Sequence, residues 1–399
     1  MPLYIEKLHG DSSRSMHATL PLPGDCGGLW VKGFICPSQL RASMETAIIL
    51  CEGGFGTPAG KTAAGLVRHS LRFRIVGIVD SKTAGLDAGE VLDGRGNGIP
   101  IFASVKAALA GLEETPQFMM IGIATIGGML PDEFRQPVVD AIEGGVSIMS
   151  GLHEWLGEDD ELKALAAKND VTIHDIRREP PLRKLHKYMN LAGELDCIRI
   201  PVLGTDAAIG KRTTAIVLAK ALDERGIRTA FVATGQTGLM QGSKYGIPLD
   251  AIRGDYVVGE LENAIVTAYN EERPQVIIIE GQGALSHPAY VTGSRAIVSA
   301  SQPQTVVLQH APGRKYRSYT DDVPHLPVGT VERESELIKT WAGCDVIGVA
   351  LNPESLTREE VIRVTAEYEE KYGLPTCDVL IDGPRKIVDA IIKRFFSES

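Results

Sequence analysis

The stretch VLGTDAAIGKRTTAIVLAKAL, residues Val202 to Leu222, decides how the second half of the chain is read. An apolar run ends at Gly204, a turn of small residues leads to Gly210 and Lys211, and helical spacing begins at once. Strand, glycine loop and helix in that order are what a phosphate-binding loop requires. Glycines let the backbone close around oxygens. N–H groups at a helix start point at an anion, and the helix dipole favours negative charge there. Lys211 adds a point charge. The candidate phosphate contacts are therefore Gly204, Thr205, Asp206, Gly210, Lys211, Arg212 and Thr213. The bland alternative is a tight turn with an exposed lysine.

The spacing G-x5-G-K is one residue longer than the common loop. It resembles the variant in dethiobiotin synthetase, which also begins G-T-D. Arg212 stands where nucleotide hydrolases carry the hydroxyl that coordinates magnesium, and arginine cannot do that. Thr213 and Thr214 restore a hydroxyl only if the register shifts. Read plainly, the loop holds phosphate without a tightly placed metal, and arginine pairs well with phosphate. The pyrophosphate or 3′-phosphate of a carried cofactor such as coenzyme A fits better than a phosphoryl group in transfer.

Outward from the loop, strand and helix patterns alternate. CIRIPVLG, RTAFVAT, QVIIIEGQG, QTVVLQHA, DVIGVAL and TCDVLID read as strands. RTTAIVLAKALDER, LENAIVTAYNEE, REEVIRVTAEYEEKY and RKIVDAIIKRFF read as helices. The first half has the same rhythm, with strands TAIILCEG, RFRIVGIVDS, QFMMIGIA, GVSIMSG and VTIHDI and helices KTAAGLVRHS and DDELKALAAKND. This order predicts parallel sheets covered on both faces. The expected fold is α/β, a Rossmann-like N-terminal domain followed by a P-loop NTPase-like C-terminal domain. The expected boundaries are an N-terminal extension over residues 1–45 packed on the first domain, the Rossmann-like domain over 46–176, a basic, proline-bearing connection over 177–196, and the P-loop-like domain over 197–399.

Composition narrows the function classes. The 399 residues are 44% hydrophobic and 23% charged, which suits a soluble globular protein. A formal net charge of −10 argues against a duplex nucleic-acid binder. No apolar run has the length of a membrane span, and the start lacks the pattern of a signal peptide. A cytoplasmic protein is expected, with a small-molecule substrate, no nucleic-acid or membrane partner, and a homo-oligomeric state as a general prior. Six scattered cysteines (Cys26, Cys36, Cys51, Cys197, Cys344 and Cys377) lack a C-x-x-C pair and read as buried thiols. His153, His174 and His186 lack zinc spacing, so no metal site is expected.

Glu280, Gln282 and His287 follow a buried strand in VIIIEGQGALSHPAY and are the catalytic candidates. A strand-end carboxylate beside a loop histidine suits proton transfer; the alternative is a carboxylate that only orders the loop. Gln236 and Thr237, with Thr234, lie in ATGQTGLMQG at a strand's carboxyl end, where open α/β sheets bind ligands. Arg177 and Arg178 clamp a dicarboxylate or belong to a solvated linker. A first glycine loop, Glu52 to Thr62, matches neither G-x-x-x-x-G-K-T nor G-x-G-x-x-G. Asp80 ends the next strand, where a dinucleotide fold places its ribose acid. A domain used for substrate binding or assembly is the expected reading there.

Taken together, KTAAGL, GIVDS, GLHEWL, DIRREP, GTDAAIGK, ATGQTG and EGQGALSHPAY resemble the D-glutamate N-acetyltransferase family. The resemblance runs from about Thr46 onward; the segment after His310 adds little. It implies transfer of acetyl from acetyl-coenzyme A, as co-substrate, to the amine of D-glutamate in D-amino acid catabolism. On that reading Glu280 or His287 is the base. The Gln282 amide or backbone N–H groups of Gly281 to Gly283 face the oxyanion, Lys211 and Arg212 grip phosphate, and Arg177 or Arg178 binds a substrate carboxylate. Three rivals remain: an ATP-dependent ligase with Asp206 and Glu280 on magnesium, a non-catalytic nucleotide or metabolite sensor, and a nicotinamide-dependent dehydrogenase.

Overall fold

The strands that cradle the second glycine loop are buried on both faces, as the unbroken apolar runs require. The computed structural model describes residues 44–317 and 326–397. The expected N-terminal extension lies outside the described residues except for its last two positions, as do Cys26 and Cys36.

The first half builds β1 (Glu45–Leu50), β2 (Phe73–Val79), β3 (Ile101–Phe102), β4 (Phe118–Ile121), β5 (Ser147–Ser150) and β6 (Ile173–Asp175). They pair in parallel in the order β3-β2-β1-β4-β5-β6. That is the doubly wound Rossmann order, with its topological switch between β1 and β4. The second half builds β7 (Ile198–Gly204), β8 (Thr229–Ala233), β9 (Tyr245–Gly246), β10 (Val276–Glu280), β11 (Val306–His310), β12 (Val346–Leu351) and β13 (Thr376–Cys377). Their order is β13-β12-β11-β7-β10-β8-β9, again all parallel. The glycine loop leaves central β7, so β10 and β11 deliver their carboxyl ends on either side of it.

Two strand readings need correction. TCDVLID pairs only at Thr376 and Cys377, because the Asp378 carboxylate accepts the N–H groups of Leu380 at 2.8 Å and Ile381 at 3.2 Å and turns the chain. β3 is two residues long, too short to show a period, so QFMMIGIA is the fourth strand rather than the third. The helices Asp132–Glu143, Gly293–Ser301 and Val331–Ala342 were also not read from the sequence.

The segment 177–196 holds two single 3₁₀ turns, Leu182–Lys184 and Ala192–Glu194, and no strand or α-helix. The helix Val257–Glu272 fastens it. Buried Glu262 accepts the N–H groups of Met189 (2.7 Å), Leu191 (2.7 Å) and Ala192 (3.3 Å). Gly259 lets the passing backbone touch, since a Cβ there would sit 2.3 Å from the His186 carbonyl oxygen. The two halves lie within one compact unit, Met44–Ser399, and meet through the helix Lys61–His69 and the helix Gln236–Met240. The Gln241 amide donates to the Gly65 carbonyl at 2.7 Å, and the Leu71 N–H donates to the Gln241 carbonyl at 2.7 Å.

Among the described residues no helix is long and apolar enough to cross a membrane. The four described cysteines are free and buried.

Candidate functional site at the second glycine loop

The loop between β7 and the helix Lys211–Glu224 coils on itself. Ala208 (φ 52°) and Gly210 (φ 99°) both adopt the left-handed conformation. The N–H groups of Ala208, Ile209 and Gly210 donate to no acceptor among the described residues. Unspent donors at a helix start are the elementary parts of an anion cradle. The Lys211 side chain is 5% exposed and threads between two glycines. A Cβ at Gly204 would lie 2.9 Å from its Cδ, and one at Gly281 would lie 3.0 Å from the same atom. Its Nζ donates to the Asp206 carbonyl at 2.5 Å. Burial pushes the Lys211 pKa down to about 8.

Asp206 is fully buried and faces cations. Arg314 Nη1 lies 2.9 Å from Oδ2; Arg317 Nη1 and His287 Nε2 lie 3.8 and 3.6 Å from Oδ1. Arg314 also donates to the Ala207 carbonyl at 2.9 Å and to Glu354 at 2.5 Å, bracing the outer wall of the loop. The Thr205 hydroxyl meets His310 Nδ1 at 2.8 Å. The Thr214 hydroxyl donates to Gln309 Oε1 at 2.5 Å, so that hydroxyl is already committed. Thr213 makes no side-chain hydrogen bond among the described residues.

Glu280 ends β10 opposite Val202 of β7. Its Oε2 accepts the N–H groups of Thr234 (3.0 Å) and Gly235 (3.2 Å). Burial raises its pKa above the ordinary glutamate range, with Arg212 the largest opposing influence. The Gln282 amide donates to the Thr234 hydroxyl at 3.2 Å. His287 Nδ1 accepts N–H groups from Ala289 (3.1 Å) and Tyr290 (3.2 Å), so the neutral ring carries its proton on Nε2, towards Asp206. Burial and Arg317 lower its pKa. Glu334 holds this turn by accepting the N–H groups of Leu285 (2.9 Å) and Ser286 (3.1 Å).

Arg212 leaves the loop and lies against the first half of the chain. A Cβ at Gly65 would be 2.5 Å from its Nη2. Its Nε is buried without a hydrogen-bond partner, and burial lowers its pKa. Gln236 and Thr237 stand on the same seam. The Thr62 hydroxyl meets the Thr237 hydroxyl at 3.1 Å and accepts from Gln236 Nε2 at 3.1 Å. Gln236 Oε1 is buried without a partner, and turning the amide over only exchanges which polar end is orphaned.

Arg177 and Arg178 do not converge. Arg177 pairs with Asp250 at 2.7 Å, whereas Arg178 pairs with Glu158 at 2.9 Å beside Trp155. Asp80 braces the first glycine loop: its carboxylate accepts the N–H groups of Gly53 (2.9 Å) and Phe55 (3.2 Å), and Phe55 fills the turn. His153, His174 and His186 have separate neighbours: Asp250, Thr172 and Glu260. No group of three or more His, Cys, Asp or Glu side chains that could hold a metal occurs among the described residues. Arg314, Arg317, Gln309, His310 and Glu334 escaped the sequence reading. The first four reach the loop or the helix it opens from roughly a hundred residues away, Glu334 reaches the Ser286 turn from 48, and no local spacing marks them.

Residues 186–388 match the family described as Domain of unknown function (DUF1611_C) P-loop domain, and residues 81–179 match the DUF1611_N Rossmann-like domain. The chain belongs to the DUF1611 family. A protein named D-glutamate N-acetyltransferase from Tritonibacter scottomollicae is 31% identical over 278 residues, covering 68% of this chain and 80% of that protein. Another of that name, from Pseudoalteromonas sp., is 33% identical over 275 residues, covering 67% and 79%. The crystal structure of a DUF1611 family protein from Anabaena variabilis is similar with a TM-score of 0.80 and 34% identity, over 88% of this chain and 99% of that chain. The expected Rossmann-like and P-loop halves and the family resemblance are thus borne out.

Proposed function

We propose that this protein transfers an acetyl group from acetyl-coenzyme A to the amino group of D-glutamate. The observation that carries the reading is the glycine loop itself. It presents unspent N–H groups and a buried lysine, yet places Arg212 where a magnesium-binding hydroxyl would stand. The names of the relatives support the acetyl group and the acceptor.

On this reading the loop N–H groups and Lys211 hold a coenzyme phosphate, whose oxygen replaces the Asp206 carbonyl as partner of the lysine. Glu280 takes a proton from the acceptor ammonium. The freed amine forms a C–N bond to the thioester carbonyl, a donor from the Gly281–Gly283 turn steadies the oxyanion, and the C–S bond breaks; the second proton that the nitrogen sheds on becoming an amide passes to the departing thiolate, which leaves as free thiol. Glu280 suits the base better than His287, because the Nδ1 lone pair of His287 already accepts two backbone N–H groups. The ligase alternative asks Asp206 and Glu280 to hold magnesium, but Asp206 is met by Arg314 and Glu280 by two backbone N–H groups.

The test is thiol release from acetyl-coenzyme A with D-glutamate, L-glutamate and other amino acids, with EDTA and without ATP. Release with D-glutamate alone, together with weaker acetyl-coenzyme A binding by Lys211→Ala, is the expected result. No release with any amino acid, or an unchanged affinity in that variant, overturns the reading.

A further inference from the structure

Lys61 opens the helix Lys61–His69, and Gly65 lies one turn later on the same face. The Arg212 guanidinium rests on that face, against Gly65. Two cations from opposite halves of the chain are thus placed on one helix face: desolvation of the ammonium group, then Arg212 and Arg177, lower the Lys61 pKa, although the residue as a whole is exposed. Neither has an ion-pair partner among the described residues. Arg177 is already neutralised by Asp250. Glu280 is the acid Arg212 feels, but the two make no salt bridge. Like charges held together without a counter-ion are costly unless an anion joins them.

We propose that Lys61 and Arg212 form the carboxylate-binding site for the acceptor amino acid, so that the first glycine loop serves substrate recognition rather than a nucleotide. The site rests on the acetyltransferase reading for the identity of its ligand. Three observations favour a carboxylate of the acceptor over a coenzyme phosphate. The phosphate cradle has its own cation, Lys211, and its own N–H groups. Lys61 comes from the other half of the chain, across the seam from that cradle. Glu280 lies beside Arg212, and an α-amine is only one carbon from its α-carboxylate, so a carboxylate bound there delivers the amine to the base. The orphaned end of the Gln236 amide, in the same wall, matches an acceptor with further polar groups. Gly65 is required because any side chain would displace the guanidinium.

The test is calorimetric titration of the full chain with D-glutamate and with glutarate, a dicarboxylate that has no amine to acetylate. In Lys61→Gln both bind at least about tenfold more weakly, acetyl-coenzyme A binds as before, and Lys61→Arg recovers most of the loss. Lys61 is exposed, so its replacement spares the fold. Unchanged glutarate and glutamate affinities in Lys61→Gln overturn the site. So does weakened acetyl-coenzyme A binding with glutamate unaffected, which would give the two cations to the coenzyme. Because binding needs no turnover, the two readings fail separately. Glutarate binding lost in Lys61→Gln supports the site even in a protein that releases no thiol, whereas acetyl transfer with an unaltered KM for glutamate sinks the site alone.

Discussion

Replacing Gly65 by alanine moves one guanidinium and little else. The residue is in the middle of the nine-residue helix Lys61–His69, where alanine is favoured over glycine by about 0.8–1.0 kcal/mol. Against this, the new Cβ would lie 2.5 Å from Arg212 Nη2, 3.3 Å from its Cζ and 3.4 Å from Thr237 Cγ2. Ordinary carbon contacts begin near 3.5 Å, so the guanidinium must withdraw by about 1 Å. It is the end of a flexible side chain, which puts the overpacking cost at the low end of ~1–3 kcal/mol. The two effects nearly cancel, and the urea midpoint of Gly65→Ala should stay close to that of the parent protein. Acceptor binding should not. Hydrogen bonds to a charged group contribute ~1.5–3 kcal/mol, so losing the Arg212 contact raises the KM for D-glutamate by roughly tenfold or more. Initial rates with D-glutamate varied at saturating acetyl-coenzyme A measure this directly. A stable variant with an unchanged KM for D-glutamate would refute the reasoning, as would one whose only change is in the KM for acetyl-coenzyme A.

Glu280→Gln keeps the backbone hydrogen bonds but cannot take a proton, so kcat should fall by ~10²–10⁴ with the fold intact; near-parental turnover would dismiss it as the base. Because burial raises the Glu280 pKa, the acid limb of the rate profile should fall at a pH above the ordinary value of 4.5. Lys211 acts in the opposite direction. Its pKa in the free protein is about 8, and a bound phosphate favours the charged form, so acetyl-coenzyme A affinity should decline as pH rises through that value, approaching ~tenfold per unit above it. Titrations between pH 7 and 9.5 decide this, and a flat profile counts against a lysine–phosphate contact. Glu262→Ala strands the N–H groups of Met189, Leu191 and Ala192 and should cost at least ~1–3 kcal/mol in denaturant unfolding; no loss would mean the 177–196 segment is not fastened there.

The sequence by itself determined most of the long strands and helices and their order, though not β3 or the helices Asp132–Glu143, Gly293–Ser301 and Val331–Ala342. Short β-branched runs such as VIIIE, bounded by glycine, suit strands buried on both faces. Glycine followed by lysine at a strand-to-helix turn marks the loop 204–211 as a candidate anion cradle. Short-range chemistry is legible because the residues concerned are neighbours: the loop 204–211 with the helix it opens, and the Glu280 turn. Tertiary structure alone decided what each candidate faces. Asp80, placed where a ribose acid belongs, spends its oxygens on the loop of Gly53 and Phe55. Arg177 and Arg178, adjacent in sequence, separate towards different acids. Arg314 reaches Asp206 across 108 positions, and Arg212 finds its place against Gly65 of the other half of the chain. Periodicity and propensity are local, whereas the partners of a buried charge are set by which loops two sheets bring to one seam, and that information is spread over the whole chain.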